Sequence, residues 1–351
     1  MKKLRIAQVA PLAERVPPKK YGGTELVIYN LIEGLVKEGH QVTLFARSDS
    51  KTSAKLSPLY HPDPKAQKRY QTRGYIIPNY WQTLEFGRVF EHANHFDVIH
   101  LHLGSAFFPY TRLIKTPCVL TLHGRLNTKE AAVIHNAYSE IPLVSISNNQ
   151  RKPLTNLNFI RTVYNGIDLS KFKYGTGHGG YLAFLGRMSP EKGPVQAIQT
   201  AKRLGQKLIM AAKVDTVDEE YFTKKVKPLI DGKQIIFLGE VNHPKKVELL
   251  KNAAALLALI QWEEPFGLFM TEAMACGTPV IATRRGSVPE IVEQGKTGFM
   301  VDNVAQAVRA IKHLPKIHRP DCRKRVEQYF SKDTMVAGYE EVYYKLIRQK
   351  K

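Results

Sequence analysis

Two doubly wound α/β domains, each built on a parallel sheet, are what the sequence predicts, and three observations predict them. Apolar runs of strand length alternate with segments of helical rhythm, which is the pattern of a parallel sheet wrapped by helices. The alternation runs its course and then starts again. Between the two series lies KYGTGHGG, whose residues 174–180 hold four glycines and are expected to form the linker.

Taken in order, the first series is LRIAQVA, a helix over 24–39, QVTLFA, FDVIHLH, PCVLTLH, a helix over 127–138 and PLVSIS. The second is YLAFLG, a helix over 191–204, KLIMAA, a helix over 218–230, QIIFLG, a helix over 244–252, a strand within 253–260, a helix over 267–276 and PVIAT. In the tail, Met335, Tyr339, Val342, Tyr343 and Ile347 are spaced to give a last helix one apolar face. The expected domains are therefore 1–170, 171–330 and a final helix in 331–351. At 351 residues, two cores are the natural division.

Composition narrows the class. The first ten residues lack a long apolar core and a cleavage site, and no apolar run reaches membrane length, so neither a signal peptide nor a spanning helix is expected. Cys118, Cys276 and Cys322 are widely separated and lack metal-ligand spacing, which fits a reducing cytosol. The net charge of +21 is spread over both halves and favours anionic partners: nucleic acid, acidic lipid headgroups or phosphorylated glycans. Its densest stretch carries Lys51, Lys55, Lys65, Lys68, Arg69 and Arg73 against Asp63 alone, with Tyr60 and Tyr70 interleaved. That stretch reads either as an acceptor- or membrane-facing loop or as a solvated loop in a basic protein.

The chemistry concentrates in QWEEPFGLFMTEAMACGTPVIA. Strand, tight turn and helix follow one another there, placing Glu264 beyond the carboxyl end of a buried strand and Glu272 on the first turns of the helix. Ligands of open α/β sheets bind at that end. A buried carboxylate needs polar partners, and ligand hydroxyls are the expected ones. The amides of Gly267, Leu268 and Phe269 open the helix, and its partial positive charge suits phosphate. A blander alternative has both glutamates solvated or capping the helix.

Other candidates lie at strand ends. Gly22 and Gly23 precede a helix and permit close backbone approach, but their spacing is not the G-x-G-x-x-G of dinucleotide binders. In FLGRMSPEKG, Arg187 ends a strand and Lys192 is expected on the first helical turn, where a cation is unfavourable unless it serves an anion. Together they suit a diphosphate, one by a planar fork and one as a point charge. His123 ends VLTLH at a site position. His100 and His102, at positions i and i+2 of their strand with no nearby Cys or acidic cluster, make a poor zinc pair and read as structural or pocket-lining. With no D-x-D present, a metal-held diphosphate of that type is unsupported, and no metal or cofactor is expected.

These motifs, in this order, are similar to those of the retaining nucleotide-sugar glycosyltransferases of family four. The resemblance spans nearly the whole chain and rests on YGGTE, DVIHLH, TLHG, VYNGID, FLGRMSPEKG, FLGEV and EPFGLFMTEAMACGTPVIAT, followed by GSVPEIV and GKTGFMVD. It implies the GT-B architecture, two Rossmann-like domains facing a central cleft, with the last helix crossing back to the first domain. It implies further that Glu272 binds the ribose, that Glu264 engages the donor sugar, and that the amides of Gly267, Leu268 and Phe269 receive the diphosphate. Arg187 and Lys192 would neutralise the leaving phosphate, Gly22 and Gly23 would approach it from the other domain, and His123 would touch the sugar. Gly239 and Val241 would lie along the base. The implied activity is metal-independent transfer of a hexose from a nucleoside-diphosphate sugar to a glycan, lipid-linked or cell-envelope acceptor, read by residues 48–82. The expected setting is the cytoplasm, with the inner face of the plasma membrane as an anionic surface. A sugar-nucleotide epimerase or phosphorylase of the same fold, or a basic nucleic-acid-binding protein, are the alternatives.

Overall fold

The structure is a computed structural model that describes residues 2–20, 22–59 and 80–349. Most of the basic stretch assigned to the acceptor, including Tyr60, Lys65, Lys68, Arg69, Tyr70, Arg73 and Tyr75, lies outside the described residues. The chain divides into two compact units. The first comprises Met1–Ile146, Arg151–Gly166 and Met335–Lys351, and the second comprises Ser147–Gln150 and Ile167–Thr334.

Among the described residues the first unit holds seven strands, β1 (Arg5–Val9), β2 (Gln41–Ala46), β3 (Lys55–Pro58), β4 (Val98–Leu101), β5 (Cys118–Leu122), β6 (Leu143–Ser145) and β7 (Phe159–Thr162). They pair in parallel in the order β3-β2-β1-β4-β5-β6-β7. Every residue of β4, β5 and β6 is buried, as expected of parallel strands covered on both faces. The strand order reverses between β1 and β4. This junction brings the carboxyl ends of the two strands side by side and opens the crevice where such sheets bind ligands.

The second unit repeats the plan with six strands, β8 (Tyr181–Arg187), β9 (Lys207–Lys213), β10 (Ile235–Phe237), β11 (Ala255–Ala258), β12 (Val280–Thr283) and β13 (Gly298–Val301). Their order is β10-β9-β8-β11-β12-β13, again all parallel, with the reversal between β8 and β11. Leu182, Phe184, Met210, Ile235, Leu257 and Ile281 meet in its core.

Three expectations need correction. The glycine-rich residues 174–180 are not a linker. The Gly175, Gly177 and Gly179 amides donate to the Cys276, Lys251 and Asn252 carbonyls, and a Cβ on Gly175 would lie 2.2 Å from the Lys251 oxygen. The glycines serve close backbone approach inside the second unit, and the chain changes unit at Gly166. The helix expected over 218–230 is helical throughout Glu219–Leu229 but irregular, with α-type hydrogen bonding over Glu219–Tyr221, π-type over Phe222–Val226 and a 3-10 turn over Lys227–Leu229, where Pro228 has no N–H to donate. The helix expected over 191–204 starts later, at Pro194.

The final helix, Lys332–Gln349, belongs to the first unit from Met335 onward, where Tyr339 and Tyr343 are wholly buried. Among the described residues no helix is long and apolar enough to cross a membrane.

Candidate active site

In the second unit Arg187, Lys192 and Glu264 follow the carboxyl ends of β8 and β11, at the reversal of the strand order. β8 ends at Arg187, and the chain then makes a single turn over Pro190–Lys192. Gly193 follows in the left-handed region at φ 70°, and the helix Pro194–Leu204 begins after it. Lys192 therefore stands on a turn of its own rather than on the first helical turn. A Cβ on Gly193 would lie 1.9 Å from the Leu259 carbonyl oxygen, and the Gln261 amide donates to the Glu191 carbonyl at 2.7 Å. These contacts press the lysine turn onto the chain leaving β11.

Lys192 is only 8% exposed. Its ammonium donates to Glu264 Oε2 and lies 5.2 Å from the Trp262 ring centroid and 5.1 Å from that of Phe269. The Trp262 indole N–H donates to the same carboxylate oxygen at 3.0 Å. Two rings and a carboxylate thus hold one cation.

Glu264 belongs to a turn clamped from the opposite side. The Ser287 amide donates to the Glu264 carbonyl at 2.9 Å, the Gly286 amide to Glu263 Oε2 at 2.7 Å, and the Ser287 hydroxyl to the Phe266 carbonyl at 2.6 Å. Gly267, at φ 84°, then starts the helix Leu268–Ala275. Its first amides, those of Leu268 and Phe269 with Gly267 before them, have no carbonyl a turn earlier to donate to. Glu272, four residues into the helix and 4% exposed, accepts from the Lys246 ammonium. Lys246 in turn lies 5.6 Å from the Phe172 ring centroid.

The expected partners of both glutamates were ligand hydroxyls. In the structure their partners are lysines, because a carboxylate removed from water needs a countercharge of its own. Sequence reasoning missed Lys246 and Trp262. Lys246 does carry a signal, since positions 246, 249 and 250 follow helical spacing and both Leu249 and Leu250 are buried.

Arg187 is a third exposed. Its guanidinium lies 3.9 Å from the carboxylates of both Asp215 and Asp218, too far for hydrogen bonds, which leaves its donor fork uncommitted to them. Burial pushes the Asp218 carboxyl up, against the pull of Arg187. Gly239 and Val241 follow β10 at the sheet edge and lead into the helix His243–Asn252, which carries Lys246.

In the first unit, Gly22 caps the helix Gly23–Lys37, and Glu25 occupies the first turn with its carboxyl pushed up by burial. His123 follows β5 and is half-buried. It lines a cavity of about 370 Å³ together with His102, Ser105, Arg125, Glu130 and His135. Its Nε2 lies 3.0 Å from His102 Nδ1. Burial lowers His123 to about 4 and holds His100 and His102 well below the ordinary histidine range, with the neighbouring imidazoles adding to the effect in His100 and His102. His100 is wholly buried, and His102 forms part of the cavity wall. Among the described residues no cluster of three His, Cys, Asp or Glu side chains is placed to hold a metal ion.

Two nucleotide-binding-type units with their polar groups at the sheet reversals define a class, and comparison with known proteins gives the family. The family model described as "Glycosyltransferase Family 4" matches residues 21–171, and the one described as "Glycosyl transferases group 1" matches residues 168–331. The chain belongs to the glycosyltransferases of family four, with the GT-B fold. It is similar to the N-acetyl-α-D-glucosaminyl L-malate synthase of Bacillus anthracis, 34% identical over 134 residues, a match that spans 36% of this chain and only 34% of that protein. It is 25% identical over 347 residues to the D-inositol 3-phosphate glycosyltransferase of Mycobacterium tuberculosis (strain ATCC 25177 / H37Ra), covering 84% of this chain and 72% of that one. Among solved structures it is similar to AviGT4, a glycosyltransferase involved in avilamycin A biosynthesis, with a TM-score of 0.70, 25% identity and 99% and 98% of the two chains covered.

Proposed function

We propose that this protein is a retaining, metal-independent glycosyltransferase that moves a hexose from a nucleoside-diphosphate sugar to a hydroxyl of a glycan, lipid-linked or cell-envelope acceptor. One observation carries the proposal: the Lys192–Glu264 pair stands just before the amino end of the helix Leu268–Ala275, and the buried Lys246–Glu272 pair lies on the same helix. Cations and amides there suit a diphosphate, and the carboxylates beside them suit the hydroxyls of sugar and ribose.

In the reaction, the bond between the anomeric carbon and the diphosphate oxygen breaks, and negative charge grows on that oxygen. Arg187, Lys192 and the helix amides would stabilise it, each strong donor contributing about 3–4 kcal/mol at the barrier. The acceptor oxygen would attack from the face the leaving group departs, and its proton would pass to a phosphate oxygen of that group. Because Glu264 is bonded to Lys192 and Trp262, it is suited to orient sugar hydroxyls rather than to act as a free nucleophile. By the same resemblance His123 would touch the donor sugar, Gly22 and Gly23 the diphosphate, and Gly239 and Val241 the base.

Titration calorimetry with UDP, ADP and GDP tests the donor site. Arg187→Ala and Glu272→Ala should each weaken binding of the preferred diphosphate, and undiminished binding in both would refute the site. NMR of the anomeric proton in the product tests retention, and an inverted linkage would overturn it. Activity in the presence of a strong chelator should be unchanged. The names of the two relatives favour a second acceptor class, since malate and inositol 3-phosphate are small anions. Both belong in the acceptor panel beside lipid-linked glycans, together with sedimentation on anionic vesicles.

A further inference from the structure

We infer that Gln8, His102 and Tyr343 are positioning residues that fix which ring nitrogen of His123 carries its proton, leaving Nδ1 as a hydrogen-bond acceptor. The inference starts from Gln8, a wholly buried polar residue on β1. Its Oε1 can only accept, so His102 Nε2, at 2.7 Å, must donate to it. A neutral imidazole has one N–H, and His102 Nδ1 is therefore a lone pair. His123 Nε2, 3.0 Å away, must then donate to that lone pair. Nδ1 of His123 is left with its own lone pair.

The other half of the chain fixes Gln8. Its Nε2 donates to the Tyr343 phenol oxygen at 2.9 Å, and Tyr343 donates onward to His100 Nδ1 at 2.7 Å. His100 Nε2 donates to Thr121 Oγ1 at 2.7 Å, and the Thr121 hydroxyl meets the Tyr339 phenol at 2.8 Å. Seven groups run head to tail from His123 to Tyr339, and the six beyond His123 are all buried. Few solvent molecules can compete for these bonds, and each proton's position constrains the next. Turning the Gln8 amide over would reverse every proton in the chain and make His123 Nδ1 a donor. The polarity that His123 presents is thus set by β1 and by the last helix, whose Tyr343 is 335 residues from Gln8.

The tautomer stands on this geometry alone. Only its use, accepting a hydrogen bond from a donor-sugar hydroxyl, rests on the proposed transferase activity. The test is nitrogen NMR of the full chain labelled with ¹⁵N-histidine, with His123 assigned by the signal lost in His123→Asn. The wild type should show His123 protonated on Nε2 and bare on Nδ1. Gln8→Glu retains an acceptor toward His102 and should leave that pattern in place. Gln8→Met removes both polar ends, and Tyr343→Phe removes the acceptor for the Gln8 amide. Each should average or reverse the two nitrogen signals of His123. Protonation on Nδ1 in the wild type would overturn the inference, as would an unchanged pattern in Tyr343→Phe. If Gln8→Met does not fold, Gln8→Glu and Tyr343→Phe still decide. Donor binding measured in the second unit is independent of this readout, so failure of the transferase proposal and failure of the tautomer are separately visible.

Discussion

Lys246 donates a hydrogen bond to Glu272 across 26 residues of chain, joining the helix His243–Asn252 to the helix Leu268–Ala275 through a buried ion pair. Glu272 is 4% exposed, so losing its partner would strand a carboxylate in an apolar helix. Lys246→Met should destabilise the second unit by about 3 kcal/mol, since breaking a buried pair costs more than replacing it. Adding Glu272→Gln to that variant should recover most of the loss. Urea unfolding of Lys246→Met, Glu272→Gln and the double variant checks this, and additive losses would mean the pair contributes nothing as a pair.

Arg187 tests how the diphosphate is gripped. With Asp215 and Asp218 at 3.9 Å, the guanidinium holds its fork ready instead of committing it to a carboxylate. Arg187→Lys keeps the charge and loses the planar pair of donors, and should weaken nucleoside-diphosphate binding about tenfold, near 1.4 kcal/mol. Equal affinity by calorimetry would show that only charge matters at this position.

The buried histidines make stability depend on pH in one direction. Burial holds His123 at about 4 and pushes His100 and His102 down as well, whereas an unfolded histidine titrates near 6.5. In the interval between, the unfolded chain binds protons that the folded chain does not. Their contribution is complete above about pH 6.5 and is lost as pH falls toward 4, with a slope of up to ~1.4 kcal/mol per pH unit for each histidine. Melting of the wild type and of His123→Gln from pH 7.5 to 4.5 should give a shallower acid slope in the variant.

Much of this architecture is legible in the sequence because strands such as β4, β5 and β6 are buried on both faces and stand out as apolar runs between helical segments. EPFGLFMTE likewise announces its turn and helix through Pro265 and Gly267. Other features depend on contacts between distant residues. Lys246 looks like one lysine among many in a basic chain until its helix is packed. The glycines of residues 174–180 could serve flexibility or close approach, and only the backbone beside them shows which. Gln8 and Tyr343 carry no common motif, and the bond between them exists only because the last helix returns to the first unit.

Gly193 is where a backbone requirement and the charge of the site meet. Its φ of 70° is costly for any residue with a Cβ, and that Cβ would also lie 1.9 Å from the Leu259 carbonyl oxygen. Gly193→Ala must therefore move either the lysine turn or the end of β11, and both carry site residues. A loss of about 2–3 kcal/mol in stability is expected from strain and overlap together. Gly205→Ala is the matching control: Gly205 has φ 65° at the other end of the same helix but open space around it, so it should cost about 1 kcal/mol. The two variants should differ most in ligand binding. Displacing Lys192 from Glu264 should weaken nucleoside-diphosphate binding in Gly193→Ala at least fivefold, while Gly205→Ala binds as the wild type does. Equal affinities in the two variants would show that the lysine turn need not be held against β11 for the diphosphate to bind.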